Sequence, residues 1–144
     1  MVAEVDLACA AGALFAVVED LGRYPEWLDI VARADPLDEV DPPAWAVDLR
    51  GRLGPLARSK RLRMVRAVHE APDRVVFERA ELDGREHSAW RLSAEVTASG
   101  DHGSHLRMHL HYGGSLFGPV LERVLRDEIE GSKERLRRLV AADG

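Results

Sequence analysis

Hydrophobic and polar positions alternate along five runs of the chain between Trp45 and Tyr112. Successive side chains of a strand lie on opposite faces of a sheet, so this alternation predicts five antiparallel strands with one apolar and one polar face. The apolar face collects Trp45, Val47, Leu49, Leu62, Met64, Val68, Val75, Phe77, Trp90, Leu92, Val96, Leu106, Met108, Leu110 and Tyr112. The polar face collects Asp48, Arg50, Arg61, Arg63, Glu78, Arg91, Glu95, Arg107, His109 and His111.

The turns between the five runs predict the register in which the strands pair. Asp83-Gly84 is typical of a two-residue hairpin, because both central positions of that turn favour positive φ. Such a hairpin pairs Leu82 with Arg85 and places Phe77 opposite Trp90. A register shifted by one residue would scatter the apolar residues over both faces, which supports this pairing. The other predicted pairs are Val75 with Leu92, Arg79 with Ser88, Val68 with Val75, Met64 with Arg79, Val47 with Leu62, Trp45 with Met64, Val96 with Leu106, Ala94 with Met108, Leu92 with Leu110, and Trp90 with Tyr112.

The first forty residues predict two strands with two short helices between them. Residues 4–8 alternate and predict a short first strand, and residues 10–20 carry apolar side chains at helical spacing. Pro25 suits the first turn of a second short helix over 24–28, where its missing N–H has no consequence. Residues 30–40 predict the next strand, with a break near Pro36.

The last part of the chain changes its period. Pro119 suits the first turn of a helix, and apolar residues then recur at steps of three and four as far as Val140. About twenty residues at 1.5 Å each give a helix of roughly 30 Å, long enough to lie across the apolar face of the sheet. The predicted fold class is therefore α+β, with one strand, two short helices, six strands and one long helix in a seven-stranded antiparallel arrangement.

The composition is that of one globular domain. The chain has 144 residues, 46% of them hydrophobic and 31% charged, so we expect a single domain over 1–144 with its own core. The formal net charge of −5 argues against a nucleic-acid partner, which usually requires a basic surface. The single cysteine excludes an intrachain disulfide. No stretch predicts a membrane span or a signal peptide, so we expect a cytoplasmic protein. We expect it to be a monomer or a homodimer.

Two segments resemble those of a known superfamily. The run from Leu14 to Leu28 is similar to the Asp, Tyr, Pro and Trp segment of START and Bet v 1-like (SRPBCC) proteins, in particular the polyketide cyclase/dehydrase-like branch. Ser88 to Leu92, followed by a late strand and the Gly118-Pro119 helix, matches their layout. The resemblance covers nearly the whole chain and implies the helix-grip fold, in which a curved sheet wraps around the C-terminal helix. It also implies a hydrophobic small molecule or lipid as ligand, with enzymatic activity in only some members.

A cavity between sheet and helix is also expected on physical grounds, because a curved sheet and a straight helix cannot touch along their full lengths. The small residues Gly51, Ala94, Gly131 and Ser132 lack the bulk to fill the gap. Pockets for small ligands are mostly apolar and carry a few polar groups. The predicted ligand-binding residues are Arg66, Phe77, Arg79, Ser88, Trp90, Leu92, Met108, Leu110, Tyr112, Leu125, Glu128 and Ser132.

Four polar groups on the predicted apolar face leave two interpretations open. They are Arg66, Arg79, Ser88 and the hydroxyl of Tyr112. In the first interpretation they form a polar end of the cavity that orients a carbonyl, carboxylate or phenol of the ligand. In the second they have structural partners, because an unpaired buried charge is costly; Arg79 would then pair with Glu81 or Glu128.

The six histidines do not predict a metal site. His105, His109 and His111 lie on the polar face of one strand, and no cysteine or acidic residue is placed to complete three or four converging ligands. Cys9 has no basic partner and is expected to be a small packing residue. The sequence contains no nucleotide or phosphate fingerprint, so no cofactor is expected.

Three functions are consistent with the sequence. The first is a carrier of a hydrophobic small molecule or lipid, which requires only the cavity. The second is an enzyme similar to polyketide aromatase/cyclases, in which Arg66, Arg79, Ser88 and Tyr112 would polarise carbonyls and move protons in the same cavity. The third is a protein-interaction module, whose signal would be a broad exposed apolar patch. No diagnostic acid–base pair is recognised, so the catalytic residues and the ligand stay unassigned.

Overall fold

The computed structural model describes residues 1–49, 60–113 and 118–143. Within these ranges, seven strands, two α-helices and one 3₁₀ helix follow one another in the predicted order, and the predicted α+β class is confirmed. The elements are β1 (Val2–Leu7), α1 (Ala11–Val18), the 3₁₀ helix (Leu21–Glu26), β2 (Val31–Val40), β3 (Pro43–Leu49), β4 (Lys60–Glu70), β5 (Arg74–Arg79), β6 (Trp90–Ser99), β7 (Gly103–Tyr112) and α2 (Gly118–Asp143).

All seven strands of the described residues form one antiparallel sheet. Their order across the sheet is β1-β7-β6-β5-β4-β3-β2, so the first strand pairs with the last, and β1 and β2 are the two edges. Pro36 lies in the edge strand β2, where a missing N–H is tolerated, and the pairing of β2 with β3 shifts next to it. The predicted break near Pro36 is therefore confirmed.

The predicted registers of β3 with β4 and of β6 with β7 are confirmed. For β6 and β7, the tight turn between the two strands sets the register. Gly100 has a φ of +67°, and a Cβ on Gly103 would lie 2.5 Å from the carbonyl oxygen of Ser99. Glycine alone tolerates both the positive φ at position 100 and the close approach at position 103, so the turn fixes which residues face each other. The confirmed pairs are Val47 with Leu62, Trp45 with Met64, Val96 with Leu106, Ala94 with Met108, Leu92 with Leu110, and Trp90 with Tyr112.

The hairpin predicted at Asp83-Gly84 is wrong. β5 ends at Arg79 and β6 begins at Trp90, and residues 80–89 form a loop between them. Gly84 does have the positive φ that suggested a turn. The Asp83 carboxylate, however, accepts hydrogen bonds from the backbone N–H of Arg85 and from the ring of His87, which closes the turn within the loop.

The pairs predicted across β5 and β6 are accordingly wrong by two residues. Phe77 lies opposite Leu92 and Val75 lies opposite Ala94, and Ser88 lies outside the strands. A shift of two residues preserves the alternation of faces, so the apolar face of the sheet is intact.

A bulge in β4 changes one further pairing. Met64 lies opposite Arg79, as predicted, but the register shifts between Arg66 and Val68, so that Val68 faces Val76 instead of Val75. An extra residue in one strand bends it and re-aims the side chains that follow. His69 lies in β4, and its Nε2 is 2.8 Å from the Glu19 carboxylate beside α1.

The second short helix is a 3₁₀ helix that begins three residues before the predicted segment and contains Pro25 in its interior. The Asp20 side chain accepts a hydrogen bond from the Gly22 N–H at its start. The Tyr24 side chain is fully buried, and its hydroxyl donates to the Val18 carbonyl at 2.9 Å. Burial and the nearby Asp20 carboxylate raise the pKa of Tyr24, so this phenol stays neutral and ties the 3₁₀ helix to α1.

The helix α2 has 26 residues, more than the twenty predicted, and is about 39 Å long. Among the α2 side chains that the structure describes, Leu125, Ser132, Leu136 and Val140 are buried and lie at helical spacing. Gly131 lies on the exposed side of α2, so it does not leave the gap attributed to it. Among the residues that the structure describes, no helix is both long enough and apolar enough to cross a membrane.

Candidate ligand-binding cavity

An apolar cavity lies between the sheet and α2. The cavity has a volume of about 60 Å³. Its described lining is formed by Met1, Leu21, Leu28, Ile30, Val31, Val47, Leu49, Leu62, Met64, Trp90, Leu92, Met108, Leu110, Leu125 and Ile129.

The cavity occupies one end of the space between sheet and helix. Leu49 at the end of β3, Trp90 at the start of β6 and Leu110 near the end of β7 lie around it. At the opposite end, α1 adds a third layer, and the side chains of Leu14 and Val17 are fully buried there. The cavity thus lies beyond α1, between the sheet, α2 and the segment from Leu21 to Val31.

The described wall of the cavity contains no charged side chain. Every lining residue is aliphatic, methionine or tryptophan. Trp90 carries the one polar side-chain atom of this set, and its Nε1 is buried without a hydrogen-bond partner among the described residues. Such a surface favours apolar matter and offers nothing to compensate a buried charge.

Five of the twelve predicted ligand-binding residues line the cavity. They are Trp90, Leu92, Met108, Leu110 and Leu125. Four lie on β6 and β7, the two strands whose register was predicted correctly, and Leu125 lies on α2. The other seven residues lie elsewhere, for reasons that differ from one to the next.

Phe77 and Tyr112 make aromatic contacts. Phe77 is fully buried, and its ring packs edge-on against Tyr24 and Trp45, with centroids 5.8 Å and 5.6 Å away. Tyr112 is partly buried and packs on Trp90 with centroids 4.6 Å apart. Phe77 is thus covered by other rings, whereas Tyr112 supports the ring of Trp90 that lines the cavity.

Arg79 and Ser88 hold the loop 80–89 in place. The Arg79 side chain is 7% exposed and donates from Nε to Glu81 at 3.0 Å and from Nη1 to the Ser88 carbonyl at 3.2 Å. Its Nη2 lies 3.2 Å from Nδ1 of His87. The ion-pair interpretation of Arg79 is therefore confirmed, with Glu81 as the partner.

Glu81 is the centre of this loop network. One of its carboxylate oxygens accepts both from Arg79 and from the backbone N–H of Arg63 at 3.0 Å. Partial burial acts to raise the pKa of Glu81, but these hydrogen bonds and the Arg79 charge outweigh it, and the pKa is lowered. The carboxylate is therefore held in its charged form by structural partners.

Arg66 lies at the end of α1. Its Nη1 donates to the carbonyl of Glu19, the residue that ends α1, at 3.4 Å. A cation at the C-terminal end of a helix compensates its unpaired carbonyls. Its Nε is buried without a partner among the described residues.

Glu128 and Ser132 belong to a clasp between α2 and the segment after the 3₁₀ helix. The Ser132 hydroxyl is fully buried, donates to the Glu128 carbonyl at 2.7 Å and accepts from the Asp29 N–H at 3.2 Å. Arg135 donates to the Asp29 carboxylate at 2.9 Å. These contacts fix the distance between α2 and the chain that carries the lining residues Leu28 and Ile30.

Several lining residues were not among the predicted site residues. The alternation in β3 and β4 placed Val47, Leu49, Leu62 and Met64 on the apolar face. It did not distinguish residues that line a cavity from residues that pack in the core. Ile129 lies four residues after Leu125, a helical spacing that would have found it. The other lining residues lie on the N-terminal segment and on the stretch from the 3₁₀ helix to the start of β2: Met1, Leu21, Leu28, Ile30 and Val31. The predictions for Arg50 and Gly51 lie outside the described residues.

The fold and the small apolar cavity agree with a comparison of the whole chain with known families. The family described as "Polyketide cyclase / dehydrase and lipid transport" matches residues 1–141. The chain belongs to this family. The resemblance inferred from the residues around Tyr24 and Trp27 is therefore confirmed. No curated protein sequence matches the chain.

Solved structures show the same fold as this member of the family. A START superfamily protein from Mycobacterium smegmatis superposes with a TM-score of 0.74 at 14% identity, over 99% of this chain and 97% of that one. The Zhui aromatase/cyclase from Streptomyces sp. R1128 gives 0.69 at 10% identity, over 98% and 92%. The di-domain aromatase/cyclase StfQ from the steffimycin pathway gives 0.67 at 14% identity, over 96% of this chain and 44% of that one. The helix-grip fold is thereby confirmed.

Proposed function

We propose that this protein binds a hydrophobic small molecule or lipid in the cavity between the sheet and α2 and acts as a carrier. The observation that supports this proposal is the apolar lining of the cavity, which has a volume of about 60 Å³ in the absence of a ligand. The family description, which includes lipid transport, agrees with a ligand of this kind.

The small volume restricts the ligand. Because the cavity measures only about 60 Å³, a slender chain or a thin ring system suits it better than a bulky molecule. An apolar ligand would gain roughly 25 cal/mol for each Å² of apolar surface that leaves water. A charged group among these lining residues would lose its hydration without compensation.

Binding can be tested with diphenylhexatriene, an uncharged slender probe that fluoresces in apolar surroundings. We expect saturable binding to the wild type and a loss of affinity of about tenfold or more in Leu110→Trp, because the indole occupies the space the probe requires. Leu82→Trp is the matched control, since Leu82 is 76% exposed on the loop 80–89. Equal affinity in both variants, or no binding to the folded wild type, would contradict the proposal.

An aromatase/cyclase-like activity is the second candidate, favoured by the cyclase/dehydrase part of the family description. Against it, the described lining offers no titratable side chain, and Arg79 is engaged by its own loop. If the protein is such an enzyme, Tyr112→Phe and Arg79→Gln should abolish turnover of a poly-β-ketone thioester. If it is a carrier, neither variant should do more than shift the affinity for diphenylhexatriene.

A protein-interaction role has less support. Among the described residues, the large apolar side chains that are exposed are Val2 and Leu82. Two side chains do not form the broad apolar patch that marks a docking surface. A partner that co-elutes with the wild type on gel filtration and is lost in Leu82→Asp would argue for this role instead.

A further inference from the structure

All three methionines of the chain line the cavity: Met1, Met64 and Met108. Met64 lies in β4 and Met108 lies in β7, and both are more than nine-tenths buried. A methionine side chain has three rotatable bonds and adapts its shape to its neighbours at little cost. The wall of the cavity therefore contains side chains that can change its volume.

The cavity is smaller than the ligands proposed for it. Its volume without a ligand is about 60 Å³. An engineered dry cavity that binds benzene measures about 150 Å³. Because protein interiors are close-packed, a ligand larger than the cavity is buried only if a wall side chain moves into empty space elsewhere.

Such a space adjoins the cavity behind Met108. We call it the side pocket; its volume is about 10 Å³, close to the space that one water molecule needs. It lies between the edge formed by β1 and β7 and the middle of α2, and Val5, Trp27 and Leu136 are among its lining residues. The side pocket therefore has room for about one methyl group at the end of a side chain.

Two side chains separate the side pocket from the cavity. Met108 and Ile129 line both spaces, so they form the partition between them. Ile129 is β-branched and lies in α2, where such a side chain has one strongly preferred rotamer. Met108 is therefore the member of the pair that can turn, and moving its terminal methyl group into the side pocket replaces empty space with contacts.

The strands on either side of β7 leave room for this movement. Residues directly opposite each other in neighbouring antiparallel strands carry their side chains on the same face. Met108 lies opposite Ala3 on β1 and opposite Ala94 on β6. Ala3 also lines the side pocket. The side chain of Met108 is therefore flanked by two methyl groups, and the smaller of these neighbours leaves the way to the side pocket free of a long side chain.

From these observations we infer that Met108 sets the size of the ligand that the cavity accepts. When a ligand enters, the Met108 side chain turns into the side pocket, and the space that it leaves is added to the cavity. This inference rests on the proposed function, since it concerns the same cavity and its ligand. It assigns the selection of ligands by size to one residue of β7.

The role of Met108 can be tested with Met108→Ile, which nearly conserves the volume of the side chain but branches at Cβ and is stiff there. A fixed side chain keeps the cavity at its ligand-free volume. We therefore expect the affinity for diphenylhexatriene to fall about tenfold or more, and the affinity for xenon, an atom small enough to need no enlargement, to fall much less.

Met64→Ile is the matched control for this variant. Met64 lies opposite Trp45 and Arg79, which are larger than the alanines beside Met108 and leave it less room to turn. It should weaken diphenylhexatriene several-fold less than Met108→Ile does. Equal losses in the two variants, or an equal loss of xenon and diphenylhexatriene in Met108→Ile, would overturn the inference.

A second measurement follows the side chain in the wild type. When the methionine methyl groups are labelled with ¹³C, the spectrum of Met108→Ile identifies the signal of Met108. Adding diphenylhexatriene should strengthen the nuclear Overhauser effect between the Met108 methyl group and the ring of Trp27, and weaken that between the same methyl group and Leu92. Unchanged effects, or a displacement of the Met64 methyl group instead, would count against Met108.

The two proposals can fail separately. If diphenylhexatriene binds the wild type and Met108→Ile with equal affinity, Met108 does not set the size of the ligand and the carrier function stands. If diphenylhexatriene does not bind the folded wild type, both proposals are wrong.

Discussion

The two ends of the space between sheet and helix are built from the same kinds of residue and differ in what fills them. At the packed end, Leu14, Val17 and Val18 of α1 are fully buried. At the hollow end, Leu92 and other lining residues are partly exposed around empty space. The difference is α1, which packs on the sheet at one end, whereas at the other end the sheet, α2 and the segment from Leu21 to Val31 surround the cavity.

This division separates stability from ligand binding. A close-packed interior contributes through many short contacts, which are lost when a void opens. The hollow end forgoes part of these contacts and offers apolar surface to a ligand instead. The polar networks follow the same division: Tyr24 ties the packed end together, and Arg79 and Glu81 tie down the loop 80–89.

The largest expected effect is on truncation of the packed end. Leu14→Ala should lower the free energy of unfolding by about 2–5 kcal/mol, because it leaves a cavity in a filled interior. Leu92→Ala should cost less than half of this, because the side chain already borders empty space. Urea denaturation of both variants measures the difference. Equal losses would mean that the hollow end is packed in solution.

A smaller effect is expected from the buried phenol of the packed end. Tyr24→Phe leaves the Val18 carbonyl without its donor and should destabilise the protein by about 1–3 kcal/mol. Tyr112→Phe at the hollow end is the matched control and should be nearly neutral, since Tyr112 is partly exposed. Thermal unfolding of the two variants provides the measurement; a larger loss in Tyr112→Phe would refute the assignment.

The loop at the hollow end should weaken in acid. The pKa of Glu81 is lower in the folded state than its ordinary value of 4.5, because Arg63 and Arg79 donate to it. Its contribution to stability is therefore present above that value and is lost as the pH falls through the folded pKa. Urea titrations at a series of pH values should show a smaller acid-dependent loss in Glu81→Gln than in the wild type. An unchanged pH profile would mean that the Arg79 network does not support the fold.

The edge strand β1 should show the opposite pH dependence, with the smallest effect. Hydrogen bonds to Asp6 and Glu4 raise the pKa of His105 above its ordinary value of 6.5. Its contribution is present below that value and is lost as the pH rises through the folded pKa. His109, whose pKa is lowered chiefly by burial, acts in the reverse sense. The wild type is therefore compared with His105→Gln. If the free energy of unfolding changes with pH near neutrality in the same way in both proteins, this would argue against the contacts of His105 with Asp6 and Glu4.

Much of the fold followed from local signals. Alternation predicted the faces of the sheet, and glycines at 100 and 103 fixed the pairing of β6 with β7 through the turn itself. The Asp83-Gly84 signal failed because the loop has its own hydrogen bonds to Asp83, which a strand pattern cannot reveal. The bulge after Arg66 was also missed, because Val68 continues the alternation of Leu62 and Met64 in the sequence, and only the pairing with β5 reveals the extra residue.

The site could be predicted only where a regular strand or helix carries it. The alternation along β6 and β7 predicts that the apolar face carries Trp90, Leu92, Met108 and Leu110. It does not distinguish a residue that borders a cavity from one that packs against a neighbour. Phe77 is on the predicted face, yet rings that are distant in the sequence cover it. Leu28 and Ile30 belong to an irregular segment whose position depends on the clasp between Asp29 and α2, a contact of residues more than a hundred positions apart.

The central claim is that the space between the sheet and the N-terminal half of α2 is empty and apolar. A crystal structure of the protein under xenon pressure tests it most directly, because xenon enters dry apolar cavities. The account predicts xenon among Leu92, Leu110 and Ile129 and none beside Leu14 at the packed end. A hollow end filled by side chains, with no xenon bound there, would contradict it.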